Sequence, residues 1–227
     1  MHLRILAALF CAAAASAAPA SASLAGTLAK IDQAAAGFKA MSASVRRVYH
    51  TAVINDDTVD SGTMNLKRIK AKDYRMRVDL TEPDPRSLAF DGRKAELYFP
   101  KIKTVQEYDL GRQRGMVDQF LLLGFGSTSR ELESAYAIKL IGPRNVAGQG
   151  SQLLELTPKS KQVLQHLTKV ELWVSDVTGY PVQQRFLLPG GDYQMVTYTD
   201  LAVNPNLPDA AVKLQLPRGV KRETPQK

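Results

Sequence analysis

The segment YRMRVDL, from Tyr74 to Leu80, sets Tyr74, Met76, Val78 and Leu80 on one side and Arg75, Arg77 and Asp79 on the other. A strict period of two is the pattern of a strand with one apolar and one wet face. The preceding segment repeats it. Met64 and Leu66 set an apolar face, and Arg68 falls next on that same side. An apolar sheet face carrying one inward guanidinium suggests a container for an apolar ligand. A guanidinium so placed must be paired or hydrogen-bonded. It reaches lid-loop carbonyls or a carboxylate, or it snorkels to the rim.

Working outward, the stretch from Gly62 to Leu110 holds further extended segments at 86–90, 93–100 and 104–110. Glu82-Pro83-Asp84-Pro85 cannot stay in a ladder and marks a loop. Asp91-Gly92 is a hairpin signal, because a type I′ turn needs positive φ at both central residues. Leu88, Phe90, Leu97 and Phe99 continue the apolar face. Upstream, strands are expected over 43–55, 60–70 and 73–81, with Asn55-Asp56-Asp57 as a turn. Before them, residues 23–38 carry Leu24, Leu28, Ile31, Ala34, Ala35 and Phe38 at helical spacing.

Past Leu110 the period changes. Met116, Phe120 and Leu123 keep helical spacing over 112–123, Leu121 and Leu122 make the last turn apolar, and Gly124-Phe125-Gly126 ends it. Ser127 or Thr128 caps a short second helix through Glu131 and Ala135. Strands resume at 136–141, 151–157, 168–175, 180–187 and 193–203, and 212–216 is a last short one. About ten strands in hairpin order imply an antiparallel sheet, and a sheet this wide curls. The expected class is mainly β (α+β): an open, curved antiparallel β-barrel of about ten strands, with an N-terminal helix and a helical lid over an apolar cavity. Periodicity alone leaves a β-sandwich as the other arrangement.

The first 22 residues read as a signal peptide. Arg4 gives a positive start, an apolar run follows from Ile5 to Ala15, and Ala18-Pro19-Ala20 and Ala20-Ser21-Ala22 are small-x-small cleavage sites. The run is short of the ~20 apolar residues that span a bilayer. Cys11 follows the bulky Phe10, which argues against a lipid anchor there. Removing this segment takes away one charged residue, Arg4, so the formal charge falls from +8 to +7. A basic exported chain favours anionic surfaces or acidic partners. Aromatic residues are only 7% of the chain and no basic-aromatic module is present, so no nucleic-acid partner is expected. The lysines and arginines from Lys67 to Arg77 read as a solvated outer face near a sheet end, with a docking patch as the other use.

Chemistry is sparse. Beyond the signal the histidines are His50 and His166, and no serine sits in a Gly-x-Ser-x-Gly motif. Asp56, Asp57 and Asp60 form the one dense acidic cluster, and it reads as a solvated hairpin turn. Gly124-x-Gly126 lacks the continuation of a phosphate loop. No catalytic residue, metal site or cofactor is expected, and the chain reads as a non-enzymatic monomer.

The motifs taken in order resemble the periplasmic outer-membrane lipoprotein carriers, the LolA/LolB-like fold. They are Gly62 with Lys67-Arg68, Tyr74-Arg75, the proline loop Pro83 to Pro85, Asp91-Gly92 and Phe99-Pro100. Phe120 to Leu123, Leu156-Thr157-Pro158-Lys159 and Pro217-Arg218-Gly219-Val220 complete the series. The chain departs from that pattern at Met76, where the family usually has tryptophan, and in two extra residues between Arg68 and Tyr74.

The resemblance implies a carrier-like domain over 23–217, followed by a basic flexible tail over 218–227. It implies an acyl cavity lined by Met64, Leu66, Tyr74, Met76, Val78, Leu80, Leu88, Phe90, Leu97 and Phe99. Phe120, Leu121, Leu123 and Phe125 would supply the lid, and Arg68 would latch it. The implied function is a periplasmic chaperone for lipoprotein acyl chains or related lipids, served by an inner-membrane release complex and an outer-membrane acceptor. An envelope sensor or scaffold on the same fold, binding a protein partner, is the alternative.

Overall fold

The computed structural model describes residues 23–70, 73–111 and 123–225. The signal segment, and the lid residues Phe120 and Leu121 with most of the expected helix at 112–123, lie outside the described residues. One twelve-stranded sheet dominates. In chain order its strands are β1 (Ala40–Thr51), β2 (Asp56–Lys70), β3 (Asp73–Glu82), β4 (Arg86–Asp91), β5 (Lys94–Phe99) and β6 (Thr104–Asp109). Then come β7 (Tyr136–Val146), β8 (Gln149–Pro158), β9 (Lys169–Ser175), β10 (Pro181–Leu187), β11 (Tyr193–Val203) and β12 (Lys221–Glu223). Their lateral order is β12-β6-β5-β4-β3-β2-β1-β11-β10-β9-β8-β7. The sheet is curved, open and antiparallel except at its last pair, where β12 runs parallel to β6.

Helix α1 (Leu24–Gly37) lies in the concavity. Ser23 caps it, with its Oγ accepting from the Gly26 amide at 3.0 Å. Thr27, Leu28, Ile31, Ala34 and Ala35 face the sheet and are buried. Each fully buried Leu or Ile of that stripe contributes roughly 1.5–3 kcal/mol. Three carbonyls at the C-terminal end of α1 are met by side chains from elsewhere. Tyr180 Oη donates to Ala34 O at 2.7 Å, Arg68 Nη2 to Ala35 O at 3.4 Å, and Asn204 Nδ2 to Gly37 O at 2.8 Å. The last-turn carbonyls of a helix lack the usual i+4 amide partner; Ala35 O also accepts from the Phe38 amide at 3.3 Å, and a guanidinium is favourable at the negative end of the helix dipole.

Helix α2 (Ser129–Ala135) has Thr128 as its cap in a full capping box with Glu131. Ser129 ties it to α1 through Asp32, its amide and hydroxyl each 2.7 Å from the carboxylate. A single helical turn, α3 (Lys161–Leu164), precedes β9.

Several expectations are corrected at the C-terminal end. Residues 212–216 form no strand. A 3₁₀ turn over Asp209–Val212 buries Val212, and the segment 204–220 runs back across the outer face of β2 and β3. Asn65, Lys67 and Arg77 donate to the carbonyls of Ala211, Leu207 and Lys213. The outer face is partly dry further along the sheet as well: Ala89, Tyr98 and Val105 of β4, β5 and β6 are buried. The expected loose tail instead supplies β12. The basic run of β2 and β3 is also largely neutralised, through Lys67–Asp209, Arg75–Asp91 and Arg77–Asp79 pairs at 2.7–2.9 Å.

Candidate functional site

On the concave face, β2 presents Asp60, Gly62, Met64, Leu66 and Arg68 in succession. At ~3.4 Å per residue they span about 27 Å, so one strand carries the whole axis of the concavity. Its Arg68 end is plugged. Phe38, at the end of α1, packs against Tyr74, Phe125 and Tyr180 with ring centroids 5.9–6.4 Å apart. Phe125 also meets Tyr198 edge-on at 5.2 Å. Arg68 lies over the rings of Phe38 and Tyr74, and its Nε donates to Tyr74 Oη at 3.1 Å.

Beyond the plug the concavity opens into a cavity of about 450 Å³, within the range of small-molecule pockets, roughly 300–1,000 Å³. One wall is Met64, Met76, Val78, Leu80, Leu88 and Leu97 from β2 to β5. The opposite wall is Val45 of β1, Gln184 and Phe186 of β10, and Gln194, Val196 and Tyr198 of β11. His166, Leu167 and Leu188 border it from loops, and Arg47 and Arg86 are its charged members.

Six of the ten expected cavity residues therefore line this space. The other four are elsewhere. Leu66 and Tyr74 pack into the plug beside Phe38, and Phe90 packs against the same cluster. Phe99 is half-buried at the end of β5, before the Pro100 turn. Of the expected lid residues, Leu123 and Phe125 are wholly buried. Leu123 joins the cluster of Leu28, Ile31, Leu154 and Leu172, and its carbonyl accepts from Gln184 Nε2. Tyr198 Oη in turn donates to Gln184 Oε1 at 2.9 Å, so one buried amide joins the cavity wall to the Leu123 carbonyl. Burial raises the Tyr198 hydroxyl pKa far above its ordinary value.

Arg68 points inward, but its carbonyl partner is Ala35 of α1. It also lies close to the loop at Gly126, where φ is +78°. A Cβ added there would lie 2.8 Å from Tyr74 Oη and 3.0 Å from Arg68 Nη2, so the absent side chain lets the loop seat against the guanidinium.

Asp60 corrects the reading of the acidic cluster as a solvated turn. It is 1% exposed and receives two arginines. Arg47 Nε donates to Oδ2 at 2.8 Å, and Arg86 Nη2 reaches both oxygens at 2.8 Å. His50 is set apart from the cavity by its own pairing: it bonds Asp57 at 2.7 Å and stacks on Tyr193. Among the described residues no group of three or more His, Cys, Asp or Glu is placed to hold a metal ion.

No protein-family model matches the chain, and no curated protein matches it. Solved structures share its fold. An uncharacterized conserved protein from Thermus thermophilus superposes with a TM-score of 0.53 at 10% identity, over 87% of this chain and 96% of that one. MucB superposes with a TM-score of 0.51 at 17% identity, over 87% of this chain and 65% of MucB. The chain thus spans about two thirds of the MucB length. A LolA superfamily protein from Nitrosomonas europaea gives a TM-score of 0.41 at 15% identity, over 86% of this chain and 99% of that one. At these identities the likeness is one of fold. That shared fold is an open, curved antiparallel sheet around an N-terminal helix.

Proposed function

We propose that this protein is a non-enzymatic periplasmic carrier that binds the acyl chains of lipoproteins or related lipids and takes them toward the outer membrane. The observation that supports it best is the cavity of about 450 Å³ walled by Met64, Met76, Val78, Leu88, Leu97 and Val196. Each CH₂ withdrawn from water is worth ~0.8 kcal/mol, so a chain of a dozen carbons gains roughly 10 kcal/mol gross. Such a chain does not cross water unaided at a useful rate, and a shielded cavity removes that barrier. By resemblance, an inner-membrane release complex would load the carrier and an outer-membrane acceptor would unload it.

The test is titration with a fluorescent fatty-acyl probe, using Leu88→Trp to fill the cavity. The wild-type protein is expected to take up the probe, and the variant to lose at least about tenfold in affinity with its melting temperature kept. Equal binding by both proteins overturns the cavity as the site. The likeness to MucB, which has been crystallised in complex with MucA(peri), supports a second reading: an envelope module that binds a protein partner. Failure of the wild-type protein to bind any acyl probe would move the assignment there.

A further inference from the structure

The charged end of the cavity is built asymmetrically. Asp60 is saturated and inaccessible, with 2% of its side chain exposed, whereas Arg47 and Arg86 keep 30% and 20% exposure and line the cavity. Both Asp60 oxygens are engaged by Arg86 Nη2, and Oδ2 also by Arg47 Nε and Nη2. Arg86 Nη1 donates to the Asp84 carbonyl at 3.1 Å. Among the described residues, Arg47 Nη1 and Arg86 Nε have no protein partner. Two fixed positive charges thus face one negative charge, and among the described residues the lining contains no carboxylate of its own.

One arginine is enough to neutralise a carboxylate through a fork of N–H donors. The second leaves a net positive charge beside an apolar space, which is costly where the occupant is only hydrocarbon. The cost is offset if the occupant brings its own negative charge to the same place.

We infer that the cavity selects amphiphiles with an anionic headgroup, a carboxylate or a phosphate, seated against Arg47 and Arg86 with the acyl chain running toward the Phe38–Phe125 plug. This rests on the carrier reading above and names the chemical class of its cargo. Asp60 then has a definite task. It holds the two guanidiniums side by side in the free protein and sets how much positive charge remains for the ligand. Met64, Met76 and Val196 form the track along which the chain lies, while His166 faces the same space from the loop after α3.

The experiment is isothermal titration of the protein, at neutral pH and low salt, with three ligands of one chain length: dodecan-1-ol, dodecanoate and dodecyl phosphate. At least one anion is expected to bind about tenfold or more tighter than the alcohol. Preference for dodecanoate identifies a fatty-acid-like head, and preference for dodecyl phosphate a phospholipid-like one. Arg86→Gln should bring the anions to within about threefold of the alcohol, each ratio being read within the same variant. Asp60→Asn should move the ratio the other way, raising anion affinity and the thermal shift that the anion produces. Should Arg86→Gln fail to fold, Arg47→Gln, which likewise removes one of the two positive charges, gives the same comparison. A cluster that only braces the strands would leave the headgroup ratio unaltered in every variant. Binding of all three ligands within about threefold overturns the headgroup inference and leaves the carrier standing. Binding of none overturns both.

Discussion

Arg86 Nη2 lies 2.8 Å from both carboxylate oxygens of Asp60 although a whole strand, β3, separates β4 from β2. The reach is made possible at one place in the ladder. Ser61 pairs with Glu82, but Gly62 pairs with Leu80, so Thr81 is an extra residue in β3. Such a bulge bends its strand and re-aims the neighbouring side chains.

Breaking this pair should be costly. Arg86→Ala leaves Asp60 buried with a single cationic partner, and a loss of about 1–3 kcal/mol is expected. Urea unfolding should show a lower midpoint with an unchanged slope. Asp60→Ala combined with Arg86→Ala should cost less than the sum of the two single changes. Strict additivity would mean that the pair is not coupled in solution.

Gly62 is the residue that the bulge demands. A Cβ there would sit 1.9 Å from the Asp79 carbonyl oxygen, a backbone atom that cannot swing aside. Gly62→Ala should therefore destabilise by more than about 3 kcal/mol, or shift the β2–β3 register. A melting temperature within a few degrees of wild type would contradict the close approach.

Arg68 joins the end of α1 to the loop at Gly126. Arg68→Leu removes the bonds to Ala35 and Tyr74 and the contact with two rings. A plug held less firmly opens at lower cost, and net affinity for cargo rises by the free energy no longer needed. Tighter acyl-probe binding and release slowed by about tenfold are expected in stopped flow. Release as fast as wild type would remove Arg68 from the latch role.

Tyr136 is buried, and its hydroxyl has no partner among the described residues. Burial pushes its pKa up to about 12 from 10.0. The native state therefore holds this proton more tightly than the unfolded chain. The resulting stability is present in full below pH 10 and is lost as pH rises through about 12. Tyr136→Phe should flatten that alkaline loss and be neutral to stabilising at pH 7. Tyr180→Phe removes the bond to Ala34 and should instead cost about 1 kcal/mol. Stability measured from pH 8 to 12 separates the two.

Deleting residues 221–227 should expose the β6 edge. The Lys221 amide donates to the Lys103 carbonyl at 2.9 Å, and Arg222 pairs with Glu107. Glu107 is held below its ordinary carboxyl value of 4.5, first by its bond with Lys94 and also by Arg222. Its stabilisation is therefore fully present above pH 4.5 and fades as pH falls below it. The truncated chain should aggregate faster by light scattering, and in the intact chain proteolysis of the last residues should increase at low pH. A truncation that stays monodisperse would show that β12 is dispensable.

Much of this is legible in local pattern. The alternation Met64-Leu66 and Tyr74 to Leu80 places a strand face, and Asp91-Gly92 places its hairpin, because both signals are confined to a few consecutive residues. Asp60 escapes a sequence reading although it has the same parity as Gly62 and Met64, because its nearness to Asn55-Asp56-Asp57 assigns it to a turn. Arg47 shares its parity with Val45 and escapes for want of an apolar run around it. The wall from β10 and β11 has no local signal at all. Gln184, Val196 and Tyr198 reach the cavity only because β11 pairs with β1. Period places Leu66 and Tyr74 on the right face but not at the right depth, since which end α1 fills is decided by docking.

That pairing of β11 with β1 also fixes the order in which the molecule becomes complete. Met41 lies opposite Val203, so the first strand to emerge from a ribosome or a translocation channel waits for almost the last. Until then α1 has only half a concavity to enter, and its apolar stripe has nowhere to bury. Contacts so distant in sequence make for slow closure. A chain threaded amino-terminus first therefore stays open for most of its passage and shuts only when its final quarter arrives.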